Sequence, residues 1–129
     1  MSLFKEKVIQ IIRLVPFGMV VSYGQVAAYV GVPRGARQVG WILRGVEESV
    51  SMPWWRVVNN SGRITIDGNL HNDKHMQRKL LISEGIIVSD EFTLDMNRYR
   101  FIADDVFLKK LKLEDTYIQT LHAKYFIVE

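Results

Sequence analysis

A mainly α domain with a small β element, assembled as a helix-turn-helix with a winged-helix-like periphery, is the architecture that three patterns in this chain point to. Apolar residues recur at helical spacing near the start. Two short helical segments follow, joined by a turn built on glycine and proline. Beyond them lie brief apolar runs bounded by turn residues, too short for more than a minor sheet. The chain has 129 residues, 48% of them hydrophobic and 24% charged. That balance suits one globular domain and excludes a disordered one.

Phe4, Val8, Ile11, Ile12 and Val15 share one helical face, which predicts an amphipathic helix over residues 3–15, ended by Pro16 and Gly18. Met19–Ser22 is a short apolar run. Ser22 and Gln25 then form a capping-box pattern, in which hydroxyl and amide satisfy free N–H groups at a helix start. The helix so opened covers Gln25–Val30 and stops at Gly31. Pro33 opens the next, over Arg34–Val46, with Val39, Leu43 and Val46 on one face. Ala36, Gly40 and Arg44 lie on another, flanked by Arg37 and Trp41. Two helices around a short turn, the second rich in arginine and small residues, read as helix-turn-helix.

Glu47–Met52 reads as a loop, and Pro53–Val58 as a buried loop running into a strand. Asn59–Gly62 is a turn, Arg63–Ile66 a strand and Asp67–Asn72 a polar loop. Asp73–Ser83 is helical, with Gly85 as its stop. Ile86–Val88 and Phe92–Leu94 suit a small hairpin or wing. Asp95–Phe101 is short and aromatic, and Asp104–Glu129 is mostly helical.

The net charge is +3, but its distribution says more. Between Lys7 and Val46 there is no acidic residue, while Lys7, Arg13, Arg34, Arg37 and Arg44 give +5, leaving −2 for the rest. A one-sided basic segment is the expected footprint of a polyanion-binding face; a solvated surface neutralised by acids nearby in space is the alternative. The chain has no cysteine. Disulfides, thiolate metal sites and a thiol nucleophile are therefore excluded. His71, His75 and His122 do not form a metal-ligand pattern, no nucleotide-binding loop is present, and no cofactor is expected. The absence of a membrane-length apolar run or a signal-peptide core predicts a soluble chain of the cytoplasm and nucleoid, or of the nucleus in a eukaryote.

From Val15 to Gly85 the chain resembles the DNA-binding domain of the O6-alkylguanine-DNA alkyltransferases. The matching pieces are Val15-Pro16-Phe17-Gly18, Val21-Ser22-Tyr23-Gly24-Gln25-Val26-Ala27, Gly31-Val32-Pro33 and Ala36-Arg37-Gln38-Val39-Gly40. Pro53-Trp54-Trp55-Arg56-Val57-Val58, Gly62 and Leu80-Leu81 through Glu84-Gly85 complete the set. The family's acceptor cysteine and relay histidine fall at Trp54 and Trp55. That departure resembles the alkyltransferase-like proteins, a non-enzymatic branch that binds alkylated guanine and hands it to nucleotide excision repair. The resemblance implies a domain over residues 1–102 with a helical extension over 103–129, and a partner in double-stranded DNA containing O6-alkylguanine. It also implies nucleotide excision repair proteins as further partners; a monomer is expected.

The roles implied by the resemblance are specific. Arg37 would fill the space a flipped base leaves, and Tyr23 would crowd the neighbouring phosphate. Ala36 and Gly40 would let the helix backbone approach the minor groove, while Arg34 and Arg44 contact phosphates. Ser22 is first a cap and second a phosphate contact. The lesion pocket would comprise Tyr23, Trp54, Trp55, Val57 and Asp67. Trp54 is either a stacking floor or core filler, and Trp55 reads more readily as core. Trp41 either packs inward or touches DNA. Glu84 matches the relay glutamate but has lost both partners, so it reads as a structural carboxylate. No catalytic residue is expected. Two readings compete with a lesion sensor: a lesion-independent DNA-binding or regulatory module, and an enzyme with new chemistry such as a base hydrolase using Glu84 or Asp67.

Overall fold

The computed structural model describes residues 3–45, 51–64, 73–111 and 113–125. Helix α1 (Leu3–Arg13) turns Val8, Ile9, Ile11 and Ile12 inward, as its apolar spacing requires. A strand of two residues, β1 (Val21–Ser22), leads directly into α2 (Tyr23–Val30). The helix starts at Tyr23 rather than Gln25 because Ser22 is its cap. The Ser22 hydroxyl accepts from the Gln25 N–H at 3.0 Å, and the Gln25 amide oxygen accepts from the Ser22 N–H at 2.9 Å. Gly31 closes α2 in the left-handed conformation at φ 94°, which only glycine adopts without strain.

The turn between α2 and α3 (Ala36–Gly45) corrects one boundary. The Gly35 N–H donates to the Val32 carbonyl at 2.9 Å. Pro33 and Arg34 are therefore the corners of a tight turn, not the first residues of the helix. Val39 and Leu43 bury the inner face of α3 against α2 and α1. Residue 46, expected to end this helix, lies outside the described residues.

Trp54–Arg56 form a single 3-10 turn that runs into β2 (Val57–Val58). Strand β2 pairs in parallel with β1, Val21 opposite Val57 and Ser22 opposite Val58. Helix α4 (Lys74–Ser83) is capped by Asp73, whose carboxylate accepts from the Met76 N–H at 2.7 Å. The expected strand at 63–66 is a single antiparallel bridge of Arg63 with Thr93 in the described part. Ile86–Leu94 does turn back on itself, the Ser89 N–H donating to the Thr93 carbonyl at 2.9 Å. It forms no two-stranded wing among the described residues, since its pairing partner is Arg63.

The C-terminal third packs on two clusters, with Leu94, Met96 and Tyr99 joining Val20, Val58 and Leu81 in one of them. Val20 bridges Arg100, just beyond α5 (Met96–Tyr99). The Gln25 side-chain amide donates to the Phe101 carbonyl at 2.8 Å. Helices α6 (Asp105–Lys110) and α7 (Asp115–Tyr125) place Leu108, Ile118 and Leu121 in the cluster that α1 and α2 begin. The Tyr117 hydroxyl donates to the Ala28 carbonyl at 2.6 Å. Of the extension expected to be helical, Asp105–Lys110 and Asp115–Tyr125 are helices, and Tyr117 seats the second on α2.

Candidate nucleic-acid interface

The helix-turn-helix presents its arginines outward. Arg34 is exposed on the turn, and Arg37 and Arg44 are exposed on α3. At 100° per residue, Arg37, Trp41 and Arg44 fall in one strip opposite the buried Val39 and Leu43. A Cβ built on Gly40 would meet nothing within 4 Å, so the backbone beside that strip is bare. Ala36 is half-buried at the inner edge of α3. Trp41, which the sequence leaves undecided between core and surface, points outward and is 57% exposed.

Two expected contacts are corrected by burial. Ser22 is 0% exposed and its hydroxyl is engaged in the cap, so it reaches no phosphate. Val57 is 1% exposed and belongs to β2, so it fills the core and lines no pocket. Tyr23 is half-buried at the first position of α2, packed against the main core cluster. Asp67, assigned to the pocket from sequence, lies outside the described residues, as does His71.

Trp54 is 9% exposed and meets the half-buried Trp55 edge to face, with ring centroids 6.0 Å apart. Trp55 donates its indole N–H to Glu84 at 2.7 Å. Glu84 is the hub of this region. It also accepts from the Gly18 N–H at 2.8 Å and from Arg56, through Nε at 3.0 Å and Nη2 at 2.8 Å. Arg56 continues to the Val15 carbonyl at 2.8 Å through Nη1. One carboxylate thus ties the end of α4 to the loop after α1 and to the Trp54–Arg56 turn. Burial pushes the Glu84 carboxyl upward. Donation from Arg56, Gly18 and Trp55, with the Arg56 charge, outweighs it and holds the pKa below the ordinary glutamate value.

The structural reading of Glu84 follows from these bonds. Arg56 carries one sequence signal for this part, its place directly after the paired tryptophans, where a cation can face Glu84. Gln77 carries no sequence signal for its part. It is buried on α4 and donates its amide to the Trp55 and Val57 carbonyls at 3.1 and 2.8 Å, fixing the backbone of the turn from behind. Among the described residues no group of three His, Cys, Asp or Glu could hold a metal ion, and no helix is long and apolar enough to cross a membrane.

Comparison with known proteins places this arrangement. A family model described as the DNA-binding domain of 6-O-methylguanine DNA methyltransferase matches residues 3–86. A DNA base-flipping protein of Escherichia coli (strain K12) is 43% identical over 98 residues, covering 76% of this chain and 74% of the relative. Alkyltransferase-like protein 1 of Schizosaccharomyces pombe is 32% identical over 103 residues, covering 77% of this chain and 94% of that protein. The crystal structure of S. pombe Atl1 in complex with damaged DNA containing O6-carboxymethylguanine superposes with a TM-score of 0.73 at 31% identity. It covers 80% of this chain and 98% of the other.

Proposed function

Because the chain belongs to the family defined by the 6-O-methylguanine DNA methyltransferase DNA-binding domain, we propose that it is a non-enzymatic reader of damaged duplex DNA. It binds through the minor groove, rotates O6-alkylguanine out of the helix and flags the site for nucleotide excision repair. The observation that carries this reading is the likeness to Atl1, which was crystallised on DNA containing O6-carboxymethylguanine. The lack of any cysteine separates it from the transferases. Trp54 stands where the alkyl acceptor would be, and an indole is no nucleophile at neutral pH.

The placement of side chains supports the following mechanism. Arg34 and Arg44 contact phosphates and set the register of α3, a contribution that ignores sequence and falls with salt. Arg37 enters the stack and takes the space of the departing nucleotide, offsetting part of the few kcal/mol that unstacking and unpairing cost. Tyr23, at the start of α2, crowds the adjacent phosphate and favours rotation. The released base meets Trp54, whose apolar surface receives ring and alkyl group. Glu84, Arg56 and Trp55 hold that turn fixed while the base enters. The chain acts as a monomer with the lesion-bearing duplex as its partner.

The test is a titration of unmodified against O6-methylguanine duplex. Tighter binding of the lesion duplex is expected, with Arg37→Ala weakening both and Tyr23→Phe narrowing the difference. Equal affinity for the two duplexes would overturn the reading. One observation favours a second reading, a lesion-independent DNA-binding module: Trp54 is 9% exposed, so its face is covered in the free protein. Protection of the lesion base from solvent on binding separates the two.

A further inference from the structure

One exposed side chain on α3 has no task in the mechanism above. Trp41 lies one helical turn beyond Arg37 and three residues before Arg44, on the strip that faces away from Val39 and Leu43. It is 57% exposed. Cβ atoms built on Gly40 and Gly45 would meet nothing within 4 Å, so open space borders Trp41 at these two helix positions, beside Arg37 and Arg44. The core side of α3 is already filled by Val39 and Leu43, which excludes Trp41 as core. Tryptophan and arginine also anchor protein interfaces, but the acid-free, arginine-bearing stretch around Trp41 favours a duplex. Cations meet the phosphates, and a flat apolar ring meets the bases.

We propose that Trp41 is a second duplex-distorting side chain. Its indole inserts at a base step just under two base pairs from the position that Arg37 fills. The spacing comes from the helix itself. Four residues at about 1.5 Å rise separate Arg37 from Trp41 by about 6 Å, against about 3.4 Å per base pair. The need for a wedge comes from size. A helix about 10–12 Å across does not enter a minor groove about 6 Å wide until the groove is opened, and an apolar wedge holds it open by bending the duplex away. This inference rests on α3 lying in the minor groove as proposed above.

The absence of cysteine supplies the experiment. Trp41→Cys introduces the only thiol in the chain. Disulfide capture by duplexes carrying a thiol-tethered base, scanned across both sides of an O6-methylguanine, is expected to peak one to two base pairs from the lesion on one side only. A flat profile, or a peak elsewhere, overturns the proposal. Trp41→Ala is expected to weaken binding about tenfold to lesion and unmodified duplex alike, about 1.4 kcal/mol. It should also reduce the bend seen by end-to-end energy transfer and leave the slope of log K against log salt unchanged. Trp41→Phe is expected to stay within about threefold of the parent; a loss equal to that of alanine would mean a contact through the indole N–H and would refute the wedge. Trp41-dependent affinity without lesion preference supports this proposal while overturning the damage-reader reading, and absence of DNA binding overturns both.

Discussion

Removing the Glu84 carboxylate tests how the Trp54–Arg56 turn is held. Glu84→Ala leaves Arg56, whose side chain is 13% exposed, facing a site that is 4% exposed at Glu84. The Trp55 and Gly18 N–H groups lose the same acceptor. Hydrogen bonds to a charged group contribute about 1.5–3 kcal/mol each, but they share one carboxylate whose own desolvation opposes them. Breaking a buried pair by removing one partner costs about 3–5 kcal/mol. We therefore expect a loss of about 4 kcal/mol in urea unfolding, a large part of the about 5–15 kcal/mol that holds a domain together. Glu84→Gln keeps one acceptor and is expected to lose about half as much. Replacing both partners, Arg56→Met with Glu84→Leu, should cost less than Glu84→Ala alone, because no charge is left stranded.

The same carboxylate gives a pH signature with a defined sign. Its pKa is lowered in the folded protein. Its stabilisation is therefore complete above the unfolded glutamate pKa, about 4.3, and is lost as pH falls through the folded value. The stability gap between the parent and Glu84→Gln should stay constant from about pH 7 to pH 5 and close below about pH 4.3. A gap that persists unchanged to pH 3, or a Glu84→Ala protein within about 0.5 kcal/mol of the parent, would refute the reasoning.

Three further outcomes are expected. Gly62→Ala should destabilise by more than about 3 kcal/mol, since Gly62 has φ 87° and an added Cβ would collide with the Leu94 carbonyl; thermal unfolding checks it. Ser22→Ala removes one half of the α2 capping box and should cost about 1 kcal/mol, read by urea titration, with DNA affinity at saturating folded protein unchanged because Ser22 is buried. Arg44→Ala should weaken binding to any duplex and reduce the slope of log K against log salt by about 0.9, which a fluorescence-anisotropy salt series measures.

What the sequence made legible was local. The α1 face, the Ser22–Gln25 box, the Gly31 stop and the helical nature of the C-terminal extension depend on residues within a few positions of one another. The parallel pairing of Val21 with Val57 joins segments far apart in the chain, and no periodicity announces it. Burial is equally hidden: Ser22 is the cap its pattern predicts, but β1 and β2 bury both it and Val57 away from any interface. Proline commonly opens a helix, which predicts Arg34 inside α3; the Gly35 N–H instead closes a turn on Val32 and displaces the start to Ala36. No local pattern marks Arg56, because its partner is Glu84, 28 positions away.

The direction of one hydrogen bond fixes what Glu84 can do. An imidazole at position 55 could donate one proton to Glu84 and accept another from a neighbour, and so pass charge along a line. Trp55 has a single donor and no acceptor. Its N–H points at Glu84, and nothing can be handed onward to Trp54. Glu84 can then only accept, and Arg56 with Gly18 complete a set of donors that favours the charged form at every position. A proton carrier has to exchange states during its task, whereas this carboxylate is held in one. Glu84 is therefore a strut between α4, the loop after α1 and the turn that carries Trp54. For a protein whose proposed task is to present a fixed surface to a rotated base, rigidity at that turn is worth more than a proton relay, and the arrangement supplies it.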